Sequence, residues 1–432
     1  MGPNLSNFTS TATDEDQLRL KKIITLVGLG YLFLILCDPK DGIAKISIQY
    51  ILKDQLHLQP AQLAAFFATI FIPWYFKPLA GLLTDNFSFL GTRRKGYLVT
   101  ASALAGLLWI ALAIVPKSYS SMVVMLIAIN IGLVTAQTTF GGMLVQYGQE
   151  FKATGRMSSI RNGAENLGVL LAGLIGGWVA AKLLGIGLVS VGVFLWGLTF
   201  LVVKLQKEPK VESGNVGAAK ATLIQFKSLF TSRNMWVATV FWMLVRFSPG
   251  FQTPLFFHQT DDIKLSPEFI GFLNFINAGT GLVGSFAYIY LCKKFPLRTL
   301  LYGGVILSVL SAFCYLGYNS QTGAMFVESA AGLGTGMAFL AILDLLARST
   351  PKGSEALGYS LIFSFGNMSL LGSDVLGSSL YEKFHHNFTP MVWINSGTSA
   401  LVLLAIPFLP RALVEHTDGH HSEVGAEIYH DA

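Results

Sequence analysis

The chain has 432 residues, of which 52% are hydrophobic and 12% are charged. An ordinary soluble domain has about twice that charged share, so the composition excludes a soluble globular protein and indicates one embedded in a lipid bilayer. The formal net charge is +6, but the basic residues lie in short loops between apolar runs and do not indicate nucleic-acid binding. The sequence contains no motif for nucleotide hydrolysis, catalysis, or metal or cofactor binding.

Apolar runs of about twenty residues are long enough to cross a bilayer, and they predict an all-α membrane protein with twelve transmembrane helices. In chain order the predicted spans are 23–52, 61–83, 97–115, 121–146, 159–181, 184–203, 234–257, 267–291, 299–318, 323–346, 356–381 and 391–410. A Lys-rich segment in the middle separates six helices from six. The expected organisation is a cytoplasmic N-terminal tail (1–22), a six-helix bundle (23–203), a cytoplasmic linker (204–233), a second six-helix bundle (234–410) and a cytoplasmic C-terminal tail (411–432).

The distribution of Lys and Arg predicts the orientation, because cytoplasmic loops are enriched in these residues. Most of them lie in the two ends of the chain and in the loops that follow even-numbered helices. The loops on the opposite side contain only Lys53, Lys117, Lys182, Lys264 and Lys383. We therefore expect a multi-pass protein of the cell membrane with both termini in the cytoplasm.

An internal repeat supports the division into two six-helix sets. The segment DQLHLQP at 54–60 matches DDIKLSP at 261–267, at an offset of 207 residues. A second match, at an offset of 201, pairs three residues of the fifth and eleventh helices with one another: Asn166, Gly176 and Lys182 with Asn367, Gly377 and Lys383. Parallel repeats of this kind build transporters whose binding site lies near the bilayer midplane, between the repeats.

The first predicted helix carries Asp38, Pro39, Lys40, Asp41 and Gly42 near its middle. Proline removes a backbone donor and glycine loosens the helix, so the helix is expected to break here. Ionisable groups inside a membrane are costly and indicate function. The alternative is a self-neutralised cluster packed between helices, for example through an i, i+4 pair of Asp41 with Lys45.

The second helix ends in PWYFKPLAGLLTD (73–85), and the spacer NFSFLGT (86–92) separates it from RRK. A glycine lets a neighbouring helix approach, an aspartate suits the positive end of a helix dipole, and the basic triplet holds the loop in the cytoplasm. The residues of this gating motif are Gly81, Asp85, Arg93, Arg94 and Lys95. The arrangement resembles the loop between helices 2 and 3 of major facilitator transporters, and its particular form is similar to the folate-biopterin transporter family. The alternative is any multi-pass membrane protein with a basic inner loop.

Further ionisable side chains lie inside the predicted spans. Lys77 either binds substrate or extends to the inner surface. Glu165 has Arg161 four residues before it, and Asp344 has Arg348 four residues after it, so each is either a proton site or half of an intrahelical salt bridge. Asp374 has no basic neighbour in sequence and is either a proton site or paired with another helix.

Arg246 in the seventh helix lies 207 residues after Pro39, opposite the acidic cluster of the first helix. It either pairs with that cluster across a central cavity or binds an anionic substrate. Near these charges, a flat ring could stack on Trp74, Phe247 and Phe251, whose alternative role is packing. Asn367 is either a substrate hydrogen-bonding residue or a contact between helices.

The resemblance, which runs from about residue 23 to 410, implies a twelve-helix facilitator fold and the transport of folates or pterins, with protons. On this interpretation Arg246, Lys77, Trp74, Phe247, Phe251 and Asn367 contact the substrate, and the proton-coupling candidates are Asp41, Asp38, Glu165, Asp374 and Asp344. The expected partners of a monomer are a small anionic substrate, protons and lipid. The cluster at 38–41 does not match the family pattern, and a facilitator for another organic anion, such as a muropeptide, remains the alternative. A channel or a membrane-embedded enzyme is disfavoured by the repeat and by the missing catalytic motifs.

Overall fold

The computed structural model describes residues 14–150, 154–182, 184–206, 208, 227, 229–292, 294–351 and 355–415. The predicted linker and both predicted tails therefore lie largely outside the described residues. Within those residues the protein is helical, as expected from the sequence, and pairing of the β type is limited to one isolated bridge between Phe89 and Thr92.

Apart from the segment between residues 205 and 233, which is described only in part, the helices follow one another through short connections. In chain order they are α1 (Asp14–Leu36), α2 (Lys45–Tyr50), α3 (Pro60–Ile70), α4 (Ile72–Tyr75), α5 (Lys77–Asn86), α6 (Lys95–Ile114), α7 (Tyr119–Glu150), α8 (Thr154–Lys182), α9 (Leu184–Leu205), α10 (Arg233–Phe247), α11 (Gln252–Phe257), α12 (Pro267–Leu291), α13 (Leu297–Phe313), α14 (Gln321–Ser349), α15 (Glu355–Lys383), α16 (Phe388–Leu401) and α17 (Arg411–Val414).

Eight helical segments of the described residues are long and apolar enough to cross a membrane: Lys95–Ile114, Tyr119–Leu144, Ile160–Lys182, Gly187–Leu205, Pro267–Tyr288, Leu297–Gly317, Gln321–Ser349 and Phe388–Phe408. They correspond to the predicted spans 3 to 6, 8 to 10 and 12. Predicted spans 1, 2 and 7 are each divided into shorter helices. The breaks in spans 1 and 7 contain a proline, and in span 2 a proline is the second residue of each helix that follows a break. Predicted span 11 is one long helix, α15, that contains several polar and charged residues.

Two helices are interrupted in matching ways. After α1 the chain leaves the helix at the expected break, resumes as α2 and continues as the π-helix Ile51–Gln55. After α10 it resumes as α11 and continues as the π-helix His258–Asp262. The two α-helices begin at residues 45 and 252, and the two π-helices begin at residues 51 and 258, so both pairs are 207 residues apart. The match continues at His57 and Lys264, which both have positive φ, of 53° and 57°.

Glycines of the long helices pack against both breaks. A Cβ atom on Gly176 of α8 would lie 2.8 Å from the carbonyl oxygen of Ile43. A Cβ atom on Gly377 of α15 would lie 1.7 Å from the carbonyl oxygen of Gly250. Because only glycine permits such contacts, each break is covered by a close helix–backbone approach. These are the two glycines that the repeat at an offset of 201 pairs.

Among the described residues, the buried apolar side chains form two separate cores. The larger core joins residues 14–206, here called the N-terminal part, to residues of the C-terminal part (229–415) such as Phe256, Leu265 and Tyr318. The second core belongs to the C-terminal part alone and includes Met235, Trp242 and Leu345. The two parts therefore share one core at the end of the bundle where the two π-helices lie.

Candidate functional site

Two adjoining cavities lie between the N-terminal and C-terminal parts, at the level of the two helix breaks. The larger cavity has a volume of about 490 Å³ and the smaller about 240 Å³. Three residues line both cavities: Lys45, Asn274 and Asn277. Most other lining residues come from the breaks themselves and from α8, α12, α14 and α15, so both parts of the chain contribute to each cavity.

One end of the bundle is closed by polar contacts between the two parts, and we call it the closed end. Lys53 forms an ion pair with Asp261, and the two residues lie on the two π-helices. Lys182 lies 3.9 Å from Glu268, and the backbone amide of Ala61 donates to Glu382 at 2.8 Å. These contacts hold together the two parts that form the cavity walls.

The ion pair at the closed end predicts a measurable shift in conformation. Exposed pairs contribute up to about 1 kcal/mol, so Lys53→Gln is expected to shift the ratio of closed to open molecules about fivefold toward open. Spin labels on cysteines at Gln55 and Lys383, in a background without native cysteines, should report longer distances. The charge-swapped variant Lys53→Asp with Asp261→Lys should restore the shorter distance. If it does not, the pair does not hold this end closed.

Arg246, near the end of α10, lines the larger cavity. Its guanidinium lies over the ring of Trp242, 4.5 Å from the ring centroid, and its Nε is buried without a hydrogen-bond partner in the described structure. Asp41 lines the same cavity and acts electrostatically on this guanidinium, although no described residue forms an ion pair with Arg246. An unpaired buried donor is costly, so an incoming anion would relieve this cost.

Asp38 and Asp41 occupy different positions in the first break. Asp38 is buried, and its Oδ1 accepts hydrogen bonds from the backbone amides of Lys40 at 2.8 Å and Asp41 at 3.1 Å. It therefore stabilises the turn that replaces the helix. The Asp41 side chain is exposed on the wall of the larger cavity. The predicted acidic cluster thus consists of one buried turn-forming carboxylate and one that faces the cavity.

Asp374 in α15 stabilises the second break in a similar way, but from another helix. Its Oδ1 accepts from the backbone amide of Thr253 at 3.0 Å, and its Oδ2 accepts from the Thr253 hydroxyl at 2.6 Å. Together with Lys40, Asp374 lines the smaller cavity, and the charge of Lys40 acts on this carboxyl group. The structure thus brings a basic residue of the first break near an acidic residue that has no basic neighbour in sequence.

Glu328 in α14 was not among the sequence candidates. It is 6% exposed and lines the smaller cavity. Its Oε1 accepts from the Tyr318 hydroxyl at 3.2 Å, and its Oε2 accepts from Asn277 at 2.8 Å; Tyr318 in turn accepts from Gln259 at 2.6 Å. Glu328 lies inside a predicted span, so the rule that flagged the other charges would also have identified it.

Lys77 and Glu165 form part of a second charged group in the N-terminal part, outside the lining of the two cavities. The Lys77 ammonium donates to Gln137 at 2.6 Å and lies 5.5 Å from the centroid of the Trp74 ring. Glu165 accepts from Arg161 at 3.1 Å, and Arg161 lies over the ring of Tyr31. The expected salt bridge in α8 is therefore formed, and the charges of Arg161 and Glu165 act on Lys77.

The remaining candidates also lie outside the lining of the two cavities. Trp74 donates to Asn130 at 2.7 Å, Phe251 packs against Tyr315 and Phe388, Phe247 is 51% exposed, and Asn367 is half-buried in α15. Asp344 accepts two hydrogen bonds from Arg348, both at 2.8 Å, and a third from Tyr288 at 3.1 Å. The last arrangement is the intrahelical salt bridge expected as the alternative to a proton site.

The gating motif surrounds the connection between α5 and α6. A Cβ atom on Gly81 would lie 3.4 Å from the Thr138 side chain, so α5 and α7 are in ordinary packing contact there. Arg94 is buried and donates to Gln146 at 2.6 Å. The Lys95 amide donates to Glu208 at 2.8 Å, which ties the loop to the chain after α9. Arg93 is exposed, and Asp85 lies in the last turn of α5, with its side chain outside what the structure describes.

The sequence of this chain is similar to those of known transporters. The chain is 24% identical over 390 residues to a folate-biopterin transporter of Synechocystis, a match that spans 85% of this chain and 78% of that protein. It is also 24% identical over 421 residues to folate transporter 1 of Plasmodium falciparum, spanning 88% and 79% of the two chains.

A solved structure with a similar fold is that of a mutant of the nucleoside transporter NupG, with a TM-score of 0.70 at 13% identity over 90% of this chain and 99% of that chain. At this identity the likeness shows the fold alone. The family model described as the BT1 family matches residues 40–428, which is most of the chain. The protein therefore belongs to the BT1 family of folate-biopterin transporters, and it is a membrane transporter and not an enzyme.

Proposed function

We propose that the protein is a secondary active transporter that imports folate or a related pterin together with protons. The observation that carries this proposal is the larger cavity between the two parts, where Arg246 has a buried donor without a partner and faces Asp41. A cation that lacks an ion pair in a mid-bundle cavity suits an anionic substrate. The folate-type relatives make a pterin with carboxylate groups the preferred anion.

Alternating access would occur between two six-helix halves with twelve spans in total. In this proposal the interrupted helices and α15 supply the four spans beyond the eight apolar ones. The matching interruptions at an offset of 207 residues support two repeats, and inverted or parallel repeats commonly rock about a midplane site. Loss of the closed-end contacts and formation of equivalent contacts at the opposite end would then move the cavity from one side to the other. We also propose a monomer in the cell membrane with cytoplasmic termini.

Electrical work supports proton coupling. Folate carries two negative charges near neutral pH, and each charge moved against an inside-negative potential costs roughly 2.3 kcal/mol per 100 mV. The total of about 4.6 kcal/mol corresponds to more than three decades in concentration ratio. Entry with two or more protons would remove this penalty. The candidate proton sites remain Asp41, Asp38, Glu165, Asp374 and Asp344, and Asp41 ranks first because it faces the substrate cavity.

Proteoliposomes with a fixed membrane potential test this proposal. Labelled folate should accumulate above its equilibrium level only when the outside is more acidic, since protons then enter down their gradient. A protonophore should abolish accumulation. Asp41→Asn should lose accumulation yet still exchange internal for external folate, because exchange requires no net proton movement.

Three outcomes would contradict parts of the proposal. Folate uptake that ignores the pH gradient would remove proton coupling, and full accumulation by Asp41→Asn would remove this residue from the proton path. Uptake of a muropeptide without uptake of any pterin would replace the proposed substrate. Liposomes without protein provide the baseline.

A further inference from the structure

The two cavities differ in size and in chemistry, and folate has two chemically different ends. We propose that a bound folate places its pterin ring in the smaller cavity against Glu328 and its glutamate tail in the larger cavity at Arg246. This assignment rests on the proposed transport of folates and adds the orientation of the substrate and a residue that recognises its ring.

Size separates the two cavities. Pockets for complete drug-sized ligands measure roughly 300–1,000 Å³. The larger cavity, at about 490 Å³, falls in that range, whereas the smaller one, at about 240 Å³, does not. The smaller cavity thus suits a bicyclic ring and not a whole folate. Because Lys45, Asn274 and Asn277 line both cavities, one ligand can extend from one into the other.

The walls of the smaller cavity suit a flat ring with a polar edge. Phe67, Phe256 and Tyr315 provide aromatic surface, which packs against ring faces by stacking or edge contacts. Gln49 and Gln259, both buried, provide amide groups on the same cavity lining. An amide can donate to the ring carbonyl and accept from ring N–H groups.

Glu328 supplies the acceptors for the polar edge of the ring. A pterin presents a ring N–H beside an exocyclic amino group, so this edge offers two parallel donors. A carboxylate has about four lone-pair positions, and Tyr318 and Asn277 use one on each oxygen of Glu328. The Tyr315 hydroxyl also interacts with this carboxyl group, and because a hydroxyl rotates it can turn away when the ring donates in its place. The donors from Tyr318 and Asn277 hold the carboxylate in position, so little ordering is needed when the ring binds.

The charges favour this orientation over the reverse one. In the smaller cavity the carboxyl groups of Glu328 and Asp374 offset the ammonium groups of Lys40 and Lys45, so the dianionic tail would meet no excess of positive charge there. In the larger cavity the cations Arg246 and Lys45 outnumber the single carboxylate of Asp41, and the Nε of Arg246 is buried without a partner. Lys45 stands at the junction, where the ring is joined to the tail.

Binding of fragments to the purified protein tests the assignment. Arg246→Gln should weaken the binding of folate and p-aminobenzoylglutamate at least about 30-fold, since loss of a charged partner is costly. Its affinity for biopterin should stay within about twofold of that of the wild type. Glu328→Gln replaces an acceptor by a donor at the ring edge, so it should weaken the binding of folate and biopterin at least about tenfold. Its affinity for p-aminobenzoylglutamate should stay within about twofold of that of the wild type. The reverse pattern, or equal weakening of all three ligands by both variants, would overturn the proposal.

The wild-type protein provides a test that does not depend on how the variants fold. Biopterin and p-aminobenzoylglutamate should bind at the same time, because they occupy different cavities, and each should compete with folate. Mutual exclusion of the two fragments would overturn the two-cavity assignment. If the wild-type protein binds no pterin at all, the proposed function fails. If it binds folate but the two fragments exclude each other, only the two-cavity assignment fails.

Discussion

Replacing Arg246 with glutamine is expected to lower folate uptake at least about 30-fold, because truncating one partner of a buried charged contact costs roughly 2–5 kcal/mol. The residue lies on the cavity wall, stacks on Trp242 and has a buried Nε without a partner. A bound carboxylate would complete its hydrogen bonding. Initial rates of labelled folate uptake, normalised to the amount of protein in the membrane, give the measurement.

Two further arginine variants make this result specific. Arg246→Lys keeps the charge but loses the planar fork that can bind a carboxylate through two hydrogen bonds, so its uptake should lie between those of the wild type and Arg246→Gln. Arg298→Gln removes a partly exposed arginine whose nearest carboxylate, of Glu415, is 3.8 Å away, and its uptake should stay within about twofold of wild type. Unchanged uptake in Arg246→Gln would remove this residue from the substrate site.

Replacing Gly377 with alanine is expected to destabilise the protein by about 3 kcal/mol or more. Overpacking a close contact typically costs roughly 1–3 kcal/mol, and here the added Cβ would lie 1.7 Å from a backbone carbonyl oxygen, that of Gly250, which cannot rotate away. Relief requires α15 to separate from the second break. That separation would also disturb the hydrogen bonds between Thr253 and Asp374, which lies one turn before Gly377 in α15.

Gly372 provides the matched control for this variant. It lies in the same helix, and a Cβ atom there would meet nothing within 4 Å. Gly372→Ala should therefore have an apparent melting temperature equal to or slightly above that of the wild type, since alanine favours the helix. Thermal unfolding in detergent, read by the fraction of monodisperse protein, compares the two variants. Equal melting temperatures would show that the contact at Gly377 carries no stability.

The contact at Gly377 also shows what the sequence repeat revealed and what it did not. The repeat identified a pair of equivalent glycines but not the backbone atoms against which they pack. The sequence pairs Gly176 with Gly377 at an offset of 201 residues. Only the structure shows that each glycine covers a helix break, at Ile43 and at Gly250. These two break residues are themselves 207 residues apart. Each of the two contacts therefore joins a glycine from the repeat at an offset of 201 to a break residue from the repeat at an offset of 207. Such a contact joins residues more than a hundred positions apart, which no local pattern can predict.

The candidate site divides in the same way between local and distant information. Charges inside apolar segments identified Asp41, Arg246 and Asp374, because an ionisable group in a membrane is conspicuous at any position. The repeat offset already placed Arg246 opposite the first break, and Asp41 of that break lines the same cavity. The hydrogen bonds of Asp374 with Thr253 of another helix were not predictable from the sequence. For Asp344 the neighbour four residues away was visible in the sequence, and the intrahelical salt bridge is formed.

The sequence by itself determined that this protein is a helical membrane transporter of the folate-biopterin family, and it located the break in the first helix. Apolar spans, proline breaks and the family motif each depend only on residues that are close together in the sequence. All three can therefore be recognised without knowledge of the tertiary structure. Only the tertiary structure decided which polar groups share a cavity. It grouped Lys45, Asn277 and Glu328 and placed Lys77 outside that lining, because side-chain neighbours depend on how the helices pack and not on the order of residues within them.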